Sequence, residues 1–130
     1  MKITASAISL NVPDVETSAA FAEKHFGFTR DMQADGFVSL SRPDAGFNLI
    51  YLRTGLPTFQ PESMKGAVHG VLIALVVDDI EAEYARLEAE GAPIVTPLQT
   101  EPWGERFLQV ADPNGVVIQL VQWVAEEPGA

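Results

Sequence analysis

The sequence predicts an α+β fold of two βαβββ modules, whose curved mixed sheets enclose a cleft. Three observations carry this. Val12-Pro13-Asp14-Val15-Glu16 returns 65 residues later as Val77-Asp78-Asp79-Ile80-Glu81. Each copy follows an apolar, alternating stretch and opens a segment with helical spacing of its apolar residues. Each half then closes on a turn signal and a β-rich run: Arg42-Pro43-Asp44-Ala45-Gly46 before Phe47 to Leu52, and Asp112-Pro113-Asn114-Gly115 before Val116 to Val124. A helix covers only one face of its sheet, so each half needs a second copy for the other face.

The first strand is Ala7 to Val12, with Ile8, Leu10 and Val12 under the helix and Ala5, Ala7, Ser9 and Asn11 toward the cleft. Asp14 is placed to cap the helix, Glu16 suits its positive end, and Gly27 ends it. Val15, Ala19, Ala22 and Phe26 form its apolar stripe. Strands are expected at Phe28 to Gln33, Phe37 to Ser41 and Phe47 to Leu52, the last turning Asn48, Ile50 and Leu52 inward. The second half repeats this: a strand at Val71 to Val77 with Leu72, Ala74 and Val76 toward the cleft, a helix from Asp79 to about Gly91, and strands at Ile94 to Leu98, Arg106 to Val110 and Val116 to Val124. On the last strand Val117, Gln119, Val121 and Trp123 share one face. Residues 1–130 thus read as one domain: module one 1–53, a Pro- and Gly-punctuated linker 54–69, module two 70–124 and a frayed tail 125–130.

Of 130 residues, 47% are hydrophobic and 20% charged, enough apolar surface to fold without staples. Eight Lys and Arg against eighteen Asp and Glu give a net charge of −10, which argues against nucleic acid as a partner. The absence of cysteine removes disulfides, thiolate nucleophiles and thiolate metal sites. No apolar run is long enough to span a membrane, and the first residues show no signal-type core, so a cytoplasmic protein is expected.

Val12-Pro13-Asp14 and Gly27-Phe28, their echo at Val77-Asp78-Asp79 and Gly91, and Trp103-Gly104-Glu105-Arg106 before Asp112-Pro113-Asn114-Gly115 together resemble the vicinal oxygen chelate superfamily, the glyoxalase / bleomycin-resistance / extradiol-dioxygenase group. The resemblance covers nearly the whole chain and implies paired βαβββ modules, commonly assembled as a homodimer. It also implies a divalent metal held from the first and last strands of each module. Carried over by position, those ligands fall on Ala7, Leu72, Gln119 and Ile50, with Asn48 as the neighbour on the same face. Hydrocarbon side chains donate no lone pairs, so neither metal nor other cofactor is expected.

The expected cleft is apolar with a few polar groups, the profile of a small-molecule pocket. Its lining is read as Ala7, Ser9, Asn48, Ile50, Phe59, Leu72, Trp103, Arg106 and Gln119. Gln119 needs hydrogen-bond partners, supplied by a ligand, water or a neighbouring strand. Trp103, flanked by Glu101 and Glu105, offers an aromatic face beside carboxylates to a cationic or aromatic ligand, while Arg106 either joins the site or pairs with one of those acids. Phe59 and Met64 are placed to close over the cleft. His25 reads as a helix-end cation or a solvent-exposed residue, and the role of His69 stays open. The expected function is metal-free binding of a small ligand, of the antibiotic-sequestration type. A family enzyme (lyase, isomerase or dioxygenase-like) with a non-standard or metal-independent site is the alternative. No catalytic residue is assigned, and the sequence names neither the ligand nor whether modules pair within one chain or between two.

Overall fold

The computed structural model describes residues 1–59 and 61–124, so the tail expected from Ala125 lies outside the described residues. The chain forms two compact units, Met1–His69 and one beginning at Gly70. Among the described residues, no helix is long and apolar enough to cross a membrane.

In the first unit, β1 (Ala7–Val12), α1 (Val15–Phe26), β2 (Thr29–Ala34), β3 (Phe37–Ser41) and β4 (Asn48–Arg53) follow in order. The sheet order is β1-β4-β3-β2, with β1 parallel to β4 and the other pairs antiparallel. The Asp14 carboxylate accepts from Thr17 N at 3.3 Å, capping α1 as the spacing predicts. The helix ends at Gly27 in the left-handed region, with φ 67°. Leu10, Val12, Val38, Leu40, Leu49 and Tyr51 are buried together with Val15, Ala19, Ala22 and Phe26 of the helix. Full burial of one such large aliphatic side chain is worth about 1.5–3 kcal/mol.

The second unit repeats the plan with β5 (Leu72–Val76), α2 (Ile80–Ala89), β6 (Ile94–Thr100), β7 (Glu105–Ala111) and β8 (Val117–Trp123), in the order β5-β8-β7-β6. Ile80 and Leu87 of α2 are buried with Ile73, Leu108, Val110, Ile118 and Leu120 of the sheet, and Phe107 and Val121 on the sheet's other face are buried as well. Asp112 builds the last hairpin: its Oδ1 accepts from Asn114 N at 2.8 Å and Val116 N at 2.9 Å, and Gly115 takes φ 83° to close the turn. Strand β6 runs past the expected Leu98 to Thr100, and its pairing slips around Pro97. An edge strand tolerates this, because proline has no N–H to give a ladder.

The segment expected as the linker is hydrogen-bonded to β1 at three described residues. Thr54 N donates to Val12 O, Val68 N donates to Asn11 O at 2.7 Å, and Asn11 Nδ2 donates to Met64 O at 2.8 Å. Its described residues include one 3-10 turn, Glu62–Met64, and Thr54, Met64 and Val68 are tied to the end of β1.

Candidate functional site

In each unit α1 or α2 covers one face of the sheet, and the register settles which residues occupy the other. In the first unit the rows on that open face are Ala7 with Asn48, Ser9 with Ile50 and Ser39, and Asn11 with Leu52 and Phe37. In the second they are Leu72 with Val117 and Ala111, Ala74 with Gln119 and Gln109, and Val76 with Val121 and Phe107. Ile50 pairs two residues after Ala7, just as Gln119 pairs two residues after Leu72, so Ile50 rather than Asn48 is the counterpart of Gln119.

Gln119 is only 5% exposed, and neighbouring strands satisfy it. Gln109 Nε2 donates to its Oε1 at 2.8 Å, and its own Nε2 donates to Glu105 Oε2 at 3.3 Å. The chain continues at both ends: Thr96 Oγ1 donates to Gln109 Oε1 at 2.6 Å, and Trp103 Nε1 donates to Glu105 Oε1 at 3.2 Å. A polar path thus crosses β6, β7 and β8 on an otherwise apolar face. Sequence reasoning left Gln109 and Thr96 out. Counting outward from the Asp112–Gly115 turn sets Gln109 opposite Gln119, and that signal was available.

Trp103 lies in the turn before β7, where Gly104 N donates to Glu101 O, and it is 66% exposed. Leu72 is 48% exposed, Ala7 and Ser9 are exposed, and Asn48 and Ile50 are half-buried. Three other expectations are corrected. Arg106 sits opposite Gln122, on the helix side of β7, and its Nη2 donates to Glu81 at 2.9 Å; it joins neither the open face nor either flanking acid. Phe59 is buried rather than poised to cover a site, whereas Met64 is exposed. His25 does stand in the last turn of α1, but it is buried rather than solvent-exposed, its ring edge-on to Phe21 with centroids 4.9 Å apart. His69 is exposed at the boundary of the first unit.

These residues do not fit the divalent metal that the resemblance implies. Ala7, Ile50 and Leu72 offer no donor atoms, and the one amide oxygen at Gln119 is engaged by Gln109. Among the described residues, no group of three His, Asp or Glu side chains converges.

Known proteins share this architecture. TioX from Micromonospora sp. ML1 is 25% identical with a TM-score of 0.75, over 94% of this chain and 100% of that one. TnmS3, an antibiotic binding protein from Streptomyces sp. CB03234, is 27% identical with a TM-score of 0.70, over 95% and 99%. A Mycobacterium bovis protein is 39% identical over 72 residues, 55% of this chain and 46% of that one; the chain spans less than half the length of the curated relatives it matches. Residues 4–120 match one family across both βαβββ units, and on that match the chain belongs to the Glyoxalase/Bleomycin resistance protein/Dioxygenase superfamily.

Proposed function

We propose that this chain binds a small ligand without a metal, in the manner of an antibiotic-sequestering protein, with the open face of the second unit as the main contact surface. The observation that carries this reading is the state of the family's ligand positions. Three are hydrocarbon, and at the fourth Gln119 is built into a hydrogen-bonded path beside Val76, Val121 and Phe107. Apolar walls supply affinity, and a few fixed polar groups orient the guest. The 27% identity to TnmS3, over nearly the full length of both chains, supports the same reading. Leu72, Trp103 and Gln119 stay in the proposed contact surface of the second unit, joined by Gln109 and Glu105; Ala7, Ser9, Asn48 and Ile50 belong to the open face of the first unit, and Arg106 and Phe59 leave the reading. Assembly as a homodimer and a cytoplasmic location belong to this reading.

The test is a thermal-shift screen against aromatic antibiotics, run before and after exhaustive dialysis against a chelator. A guest at 100 times its Kd stabilises by about 2.7 kcal/mol, a readily measured rise in Tm. The expected hit keeps its shift after chelation and loses most of it in Trp103→Ala. A shift that vanishes on chelation and returns with added zinc, nickel or manganese overturns metal-free binding.

A further inference from the structure

Glu105 is a half-buried carboxylate held by neutral donors. Arg30, Arg42, Arg53, Arg86, Arg106 and Lys65 are each paired with some other carboxylate. Among the described residues, the Glu105 carboxylate meets no Lys, Arg or His within ion-pair distance, only the neutral donors Trp103 Nε1 and Gln119 Nε2. It is half-buried, on the face that carries Phe107, Val121 and Trp123. Two neutral N–H groups use two of its roughly four acceptor positions and leave its charge uncompensated. An apolar surface is a costly place for such a charge unless something pairs with it.

We propose that Glu105 receives a protonated nitrogen of the ligand, an ammonium or guanidinium group, beside the indole of Trp103. This rests on the open face of the second unit being the binding surface. The direction of the polar path supports an organic cation rather than a metal ion. Thr96, Gln109 and Gln119 each donate toward Glu105, so Gln119 presents its N–H to the carboxylate and turns its oxygen away. Turning that amide over would set an oxygen against the carboxylate, which locks the orientation and polarises the path toward Glu105. A charge-assisted hydrogen bond from an ammonium fills a remaining lone pair, and the exposed indole adds a cation–π surface.

Calorimetry with matched probes tests this: tryptamine against tryptophol, and 1-naphthylmethylamine against 1-naphthylmethanol, on wild type and Glu105→Gln. The wild type is expected to favour each amine over its alcohol by roughly tenfold or more, about 1.4 kcal/mol per tenfold. Glu105→Gln should erase that preference, bringing the amine-to-alcohol affinity ratio close to one. Equal affinity for amine and alcohol in the wild type, or a preference that survives in Glu105→Gln, overturns the cation site and spares the binding surface. If no probe of either kind binds the wild type, the binding surface itself falls, and the cation site with it. Should the variant not fold, salt decides: the amine preference must shrink with ionic strength, and a salt-independent preference overturns the assignment.

Discussion

Gln119 and Gly27 represent two ways a single residue can be decisive. Gln119 occupies a position to which the family resemblance carries a metal ligand, yet both its polar ends are committed to β7, one to Gln109 and one to Glu105. Its need for partners was legible in the sequence; their identity depended on which β7 side chains share its face. Gly27 was legible outright, because an apolar helical pattern ending at Gly calls for a left-handed closing residue. Its N–H donates to Glu23 O while Phe28 N reaches Ala22 O. A Cβ here would come within 2.6 Å of Arg42 Nη1, the group that caps Phe26 O. Gly27→Ala is therefore expected to lower stability by about 1–3 kcal/mol in urea unfolding, from strain in the left-handed backbone, with the Arg42 guanidinium moving off Phe26 O. A variant as stable as wild type would contradict this account of the helix end.

Between elements, Arg30 is the tie that sequence periodicity does not reveal. From β2 it reaches two positions of α1, with Nη2 2.7 Å from Glu16 and Nε 2.8 Å from Glu23. Glu16 and Glu23 lie two turns apart on the helix, and only the packed strand brings a guanidinium to both. The hydrogen bond from Arg30 holds the Glu16 carboxyl below its usual range. A carboxyl whose pKa falls on folding stabilises the folded state at pH above its unfolded pKa, and that contribution disappears as acid protonates it. Thermal melts of wild type in low salt should therefore lose Tm as pH drops through the ordinary carboxylate range and below. Arg30→Gln should flatten that part of the curve; an unchanged acid slope would remove the tie. Other element features were plain from sequence, including both Asp caps and the Asp-Pro-Asn-Gly hairpin. Their hydrogen bonds are local, spanning two to four residues.

Across the whole chain, one βαβββ plan is written twice with different chemistry on the open faces. The row that reads Ala74, Gln119, Gln109, Thr96 in the second unit reads Ser9, Ile50, Ser39, Met32 in the first. The polar path therefore belongs to the second unit, and the corresponding row of the first offers hydrocarbon, thioether and hydroxyl groups. Leu72, Val76, Trp103 and Trp123 stand exposed. Exposed large apolar side chains on one unit are candidates for cover by a partner. Sedimentation equilibrium at micromolar concentration is expected to give twice the chain mass, and a single-chain mass would remove the homodimer from the proposed function.

The amino-acid order by itself determined the repeat, the helices and their caps, the closing hairpins and the identities at the four ligand positions. The repeat, helices, caps and hairpins follow from periodicity or contacts a few residues long, while the ligand positions are those the family resemblance implies. Only the tertiary structure decided that Arg106 turns to Glu81, that Phe59 is buried, that Thr54, Met64 and Val68 are tied to the end of β1, and that Glu105 ends a path beginning at Thr96. Those outcomes depend on strand register and on how the chain returns, and a shift of one residue would send every side chain of a strand to the opposite face.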